Sequence, residues 1–201
     1  MAACTASSGA KPGEGTARAE RPTRVLCLGN DLIADDALGV VVARRLCRRL
    51  AAAGPSRPPG PAFDPAATVR AFGHPQAGVV EVVETALTGM YLLEAVVGAA
   101  RLIVVDTVVT GAAEPGTVDV LGEEDFAGSV PGGSPHYIGL FEALDLARGL
   151  GLDVPDEVVI VAVEAGDFYT VGGGMTAAVG AAVPVVVERV LALLEGMAAG
   201  A

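Results

Sequence analysis

Three residues far apart in the chain have the side-chain types and settings for chemistry: Asp36, Glu84 and His136. Asp36 closes the acid pair in Leu28-Gly29-Asn30-Asp31-Leu32-Ile33-Ala34-Asp35-Asp36-Ala37-Leu38-Gly39, which follows an apolar run and opens an amphipathic one. Glu84 stands near the end of the apolar run Val79 to Thr85, and His136 lies in Gly132-Gly133-Ser134-Pro135-His136-Tyr137, a glycine-rich loop leading into a helical pattern. In an open α/β sheet, loop positions of this kind converge in the crevice at the carboxyl ends of the strands. Two carboxylates and an imidazole make a mixed oxygen and nitrogen ligand set suited to a divalent first-row metal, with positions left open for a substrate. The same trio serves equally as a metal-free acid/base set, and composition does not separate the two. Either aspartate also has an ordinary use as a helix N-cap, and two adjacent acids allow one to cap while the other faces the crevice. His74, the other histidine, sits in the turn Gly73-His74-Pro75-Gln76 and is expected outside the cluster.

The elements that must position these groups are legible as apolar runs and helical periodicities. Strands are expected at Arg24 to Leu28, Val79 to Thr85, Leu102 to Asp106, Gly116 to Leu121 and Glu157 to Val163, with Ala67 to Phe72 extending the second or forming an edge piece. The Gly116 to Leu121 segment alternates and is expected at an antiparallel edge. Leu38, Val41, Ala43, Leu46, Cys47 and Leu50 fall near helical spacing with arginines on the other side. A short helix over Thr88 to Val97 should turn Met90, Leu92, Leu93 and Val96 inward. His136 to Gly149 and Met175 to Met197 complete the helices, and Pro184 predicts a kink or break in the last. Ala53 to Pro65, rich in Pro and Gly, is expected as a mobile loop. Alternation of strand and helix predicts an α/β fold: a three-layer, mostly parallel twisted sheet of about five strands with helices on both faces.

The whole chain has 201 residues with 52% hydrophobic content, enough for one domain with a substantial core. Residues 1–22 lack apolar periodicity and are expected as a disordered extension, leaving residues 23–201 as the domain. A formal charge of −11 disfavours a nucleic-acid partner, because such a surface repels phosphate backbones. Cys4, Cys27 and Cys47 are widely spaced, imply neither disulfide framework nor zinc knuckle, and fit a reducing compartment. Cys27 in Val25-Leu26-Cys27-Leu28 reads as a small core residue, not a nucleophile. No apolar leader precedes the domain, and the apolar stretch Ala177 to Val187 is interrupted by Gly180 and Pro184, so the expectation is a soluble cytoplasmic protein without membrane insertion. A serine hydrolase is disfavoured, since no Gly-x-Ser-x-Gly elbow occurs and Ser134 is followed by Pro135.

Five stretches in register resemble the hydrogenase maturation proteases, endopeptidases that trim the C-terminal extension of the nickel-iron hydrogenase large subunit. They are LGNDLIADDALGVVVARRL, VVETALTGMYLL, LIVVDTVVTGAAEPGTVDVL, SPHYIGLFEAL and VVIVAVEAGDFYTVGGGMTAAVGAAVPVVVERVLALL, together spanning about residues 23–195. The resemblance implies that Asp36, Glu84 and His136 are the catalytic, metal-binding set. It also implies that the metal is nickel supplied by the substrate, and that the partner is the nickel-loaded large-subunit precursor. The pattern departs from the family in two places. The first acid is commonly Glu and the second Asp, the reverse of Asp36 and Glu84, and Glu164-Ala165-Gly166-Asp167 stands where a Gln-Pro type sequence is frequent. Two alternatives accompany this reading: a chaperone that checks the precursor's nickel without cutting, and a peptidyl-tRNA hydrolase-like enzyme, which the acidic charge opposes.

Overall fold

The computed structural model describes residues 21–59, 67–126 and 135–196. The strands are β1 (Thr23–Leu28), β2 (Ser56–Arg57), β3 (Thr68–His74), β4 (Gly78–Thr85), β5 (Arg101–Val108), β6 (Val118–Gly122) and β7 (Glu157–Glu164). The α-helices are α1 (Leu38–Ala53), α2 (Leu93–Val96), α3 (Pro135–Gly149) and α4 (Ala177–Gly196). All seven strands join one sheet in the order β2-β3-β4-β1-β5-β7-β6. Its centre, β4-β1-β5-β7, is parallel, while β2, β3 and β6 pair antiparallel toward the edges.

The central strands are apolar runs because both of their faces are covered. On one face Leu38, Val42, Leu46 and Leu50 of α1 and Val179, Val183, Val186 and Val190 of α4 pack against Val25, Cys27, Val82, Ile103 and Val105. On the other, Ala95 and Val96 of α2 and Leu140, Ala143 and Leu144 of α3 meet Leu26, Leu28, Val83, Leu102 and Val104. Each fully buried aliphatic side chain of this kind contributes about 1.5–3 kcal/mol. The α/β class and the helical layers on both faces are as expected; among the described residues the sheet has seven strands where about five were expected. The additional two are β3, a separate antiparallel strand where an extension or edge piece was expected, and β2, which lies in the presumed loop and pairs Ser56 with Phe72. Residues 60–66, the rest of that loop, lie outside the described residues.

Other differences are local. The expected short helix is a 3-10 turn, Gly89–Leu92, running into α2, and its Met90 is 46% exposed because a 3-10 turn places successive side chains differently from an α-turn. Helix α4 runs through Pro184 without a break. By length and composition α4 is apolar enough to cross a membrane; Val179, Val183, Val186, Val187 and Val190 are buried in the core, while Val185 is exposed. Arg21 and Pro22 bond to the rest of the fold: the Arg21 guanidinium donates to the Ala99 and Val154 carbonyls, and Ala100 N donates to the Pro22 carbonyl. Residues 1–20, the remainder of the presumed disordered extension, lie outside the described residues.

The crossing of β1 and α1 is tight. A Cβ on Gly39 would fall onto the Leu28 carbonyl, a backbone atom that has nowhere to go. Gly39→Ala is therefore expected to lower unfolding free energy by about 3 kcal/mol or more, read by urea denaturation; a variant within about 1 kcal/mol of the parent would mean that the crossing can relax.

Candidate active site

Residues 29–37 link β1 to α1 at the carboxyl end of the sheet. Gly29 N donates to the Thr85 carbonyl at 3.1 Å, which fixes this loop against the end of β4. The Asn30 side chain closes a local turn on Leu32 N at 3.0 Å, and Asn30 N donates to Asp36 Oδ2 at 2.9 Å. Asp36 is buried, and its other oxygen, Oδ1, has no hydrogen-bond partner among the described residues. Burial pushes the Asp36 carboxyl above its ordinary value, an effect only partly offset by the Asn30 N–H and the nearby Thr107 hydroxyl. Thr107 faces Asp36 closely enough to act on its charge but does not reach hydrogen-bond geometry, so Asp36 Oδ1 and Thr107 Oγ1 both remain unsatisfied.

Glu84 lies one residue before the end of β4, directly across from Cys27 of β1. By strand alternation it shares the α1 face with Val80 and Val82. Its side chain is 16% exposed, and Oε1 accepts from Arg44 Nη2 of α1 at 2.9 Å. Arg44 also reaches Asp31 at 3.4 Å. Asp36, in the connection that follows β1, and Glu84, near the end of β4, therefore sit at the same end of neighbouring parallel strands.

His136 is in the first turn of α3, and its side chain lies outside the described residues. The backbone of α3 is placed by a close approach at Gly139, where a Cβ would strike the Gly89 backbone in the turn that follows β4. The far end of the helix leads to Asp156, whose N–H bonds the Ala100 carbonyl at the start of β5. Helix α3 thus runs antiparallel to the strands and begins at the carboxyl end, where Asp36 and Glu84 are. Among the described residues no three His, Cys, Asp or Glu side chains are grouped closely enough to hold a metal ion. His74 ends β3 beside Gly78, at the opposite end of β4 from Glu84, and its Nδ1 accepts from Ala77 N at 3.2 Å. A groove of about 710 Å³ lined by Arg21, Arg57 and His74 belongs to that opposite end.

Two acids beside the crevice have structural jobs that local sequence does not announce. Asp35, fully buried, accepts from Gly166 N (2.8 Å), Asp167 N (2.7 Å), Thr176 N (2.7 Å) and Thr176 Oγ1 (3.1 Å). It therefore braces the β7–α4 connection instead of capping its own helix. Glu164, at the end of β7, accepts from Thr110 N, Thr110 Oγ1 and Gly111 N at 2.9, 2.6 and 2.8 Å, and so fixes the loop after β5. Cys27 is fully buried, and burial above all, then Cys47 and Glu84, drives its thiol far up; the thiolate is not available as a nucleophile. The β1–α1 loop also pairs with the β7–α4 loop, Ile33 bridging Val171. On this rim Leu32, Tyr169 and Val171 are 62%, 86% and 74% exposed.

A family model described as hydrogenase maturation protease matches residues 69–193, a stretch that includes Glu84 and His136 and begins after Asp36. The structure is similar to the hydrogenase-maturating endopeptidase HybD of E. coli (26% identity, 87% of this chain and 92% of that one, TM-score 0.63). It is also similar to the solution structure of an endopeptidase from Escherichia coli (26% identity, 88% of this chain and 96% of that one, TM-score 0.61). The fold recurs in the [NiFe] hydrogenase maturation protease HybD of Thermococcus kodakarensis (21% identity, 86% and 99%, TM-score 0.59). No curated protein matches the sequence.

Proposed function

We propose that this chain, which belongs to the hydrogenase maturation protease family, is an endopeptidase that removes the C-terminal extension of a nickel-iron hydrogenase large-subunit precursor after recognising its nickel. The observation that carries the reading is Asp36: a buried carboxylate with an unsatisfied oxygen, at the same sheet end as Glu84. An oxygen left without a donor in a buried place costs stability, and a cation is the partner that such an oxygen lacks. Asp36 and Glu84 supply hard oxygen donors and His136 a borderline nitrogen, a set that suits a divalent first-row ion.

The nickel, as the precursor's cargo, polarises the scissile amide or a water held beside it. Asp36 and Glu84 accept the ion on one side of the crevice, with His136 completing the set from the start of α3. The Asn30 N–H holds one Asp36 oxygen and leaves the other for the ion. The exposed apolar rim of Leu32, Tyr169 and Val171 suits a polypeptide substrate, and the net charge of −11 favours fast encounter with basic ground on it.

Incubating the purified chain with nickel-loaded precursor is expected to yield a shortened large subunit, visible by mass spectrometry, whereas nickel-free precursor stays intact. A stable complex without cleavage would replace the protease by a chaperone. Equal cleavage of both precursor forms would remove nickel recognition.

A further inference from the structure

The two carboxylates assigned to the nickel are not in equivalent settings. Asp36 has no cation beside it among the described residues, whereas Glu84 is tied at 2.9 Å to the Arg44 guanidinium, which bridges on to Asp31 at 3.4 Å. Arg44 projects from α1, whose position against β4 is already secured by Leu46 and Leu50 packing with Val80 and Val82. The ion pair is therefore not needed to dock the helix. Its two ends also differ in freedom: the Arg44 side chain is 53% exposed and the Glu84 side chain 16%. The guanidinium can leave for water at little cost, but the carboxylate stays where it is.

A guanidinium and a divalent ion claim the same carboxylate and repel each other at short range. We propose that Arg44 is a positioning residue that competes with divalent cations for Glu84, so that the site holds a free ion weakly and engages one delivered within a docked polypeptide. Contacts between the precursor and the rim supply the binding energy that displaces Arg44, which a free ion lacks. This makes the check on cargo a check on delivery as well. The inference rests on the reading of Glu84 as a ligand given above.

Calorimetric titration of the full chain with Ni²⁺ separates the two. Arg44→Ala is expected to tighten Ni²⁺ binding by roughly fivefold, the scale of one partly exposed ion pair, and Arg44→Lys to restore affinity near that of the parent. The gain should vanish when Glu84→Gln is added to Arg44→Ala, as it must if Arg44 acts through Glu84. Free Ni²⁺ should also inhibit precursor cleavage by Arg44→Ala at lower concentration than it inhibits the parent. If Arg44→Ala binds Ni²⁺ no better than the parent while Glu84→Gln binds it more weakly, the competition is refuted and the ligand assignment stands. If Glu84→Gln leaves Ni²⁺ affinity unchanged, the ligand assignment fails and takes the competition with it.

Discussion

Asp36→Asn is expected to reduce precursor cleavage by roughly two orders of magnitude or more, the scale for loss of a metal-binding carboxylate, without loss of stability at neutral pH. The amide oxygen still accepts from Asn30 N, and the amide nitrogen takes the place of the unsatisfied Oδ1 near the Thr107 hydroxyl. Burial raises the Asp36 pKa in the folded state above its unfolded value, so folding favours the protonated form. That contribution is present below the unfolded pKa and is lost as pH rises through the folded one. At pH 7 the parent bears the cost of a buried charge and the variant does not. The melting temperature of Asp36→Asn should equal or exceed that of the parent at pH 7, and the difference should shrink as pH falls through the raised Asp36 pKa. His136→Ala should abolish cleavage in the same assay, and His74→Ala, at the other end of the sheet, should leave it intact. An active His136→Ala, or an Asp36→Asn variant that cuts normally, would end the assignment of these residues.

The neighbouring residue should behave in the opposite way. Asp35→Ala removes the acceptor for four donors at once and leaves the Gly166, Asp167 and Thr176 amides without it. The expected cost is about 4 kcal/mol or more, since each orphaned donor carries a desolvation penalty in addition to its lost bond. Asp35→Asn keeps one acceptor oxygen and should lie between the parent and Asp35→Ala. Because the lost bonds anchor the β7–α4 connection, amide exchange should accelerate first over residues 166–176. Urea denaturation is the check, and a change below about 1 kcal/mol would show that the connection is held by its apolar contacts instead. Adjacent acids of identical chemistry are thus expected to separate into one whose removal damages the fold and one whose removal damages the reaction.

That separation was not readable in the sequence. Asp35 and Asp36 present the same local pattern, and either reads as a cap; the donors that decide the matter for Asp35 lie 131 to 141 residues away. Arg44 likewise reads as an outward helix arginine until the fold brings Glu84, 40 residues on, beneath it. The resemblance to a family did point to Asp36, Glu84 and His136, and the fold puts Asp36, Glu84 and the start of α3 at one end of the sheet. The histidine's own approach to the acids lies outside the described residues.

What the sequence determined by itself is whatever burial imposes on local composition. Strands β1, β5 and β7 are covered on both faces and so had to be continuous apolar runs; α1 is covered on one side and so carries its arginines on the other. Such patterns are local and survive inspection of a dozen residues. Strand β3 and the two-residue β2 leave most of their residues partly or fully exposed, and their partners, not their composition, make them strands. Met90 departs from its inward helical position because it lies in a 3-10 turn, beside the close packing of Gly139 on Gly89. Burial writes itself into neighbouring residues, whereas hydrogen bonds and ion pairs across the crevice join positions that only the folded chain makes neighbours.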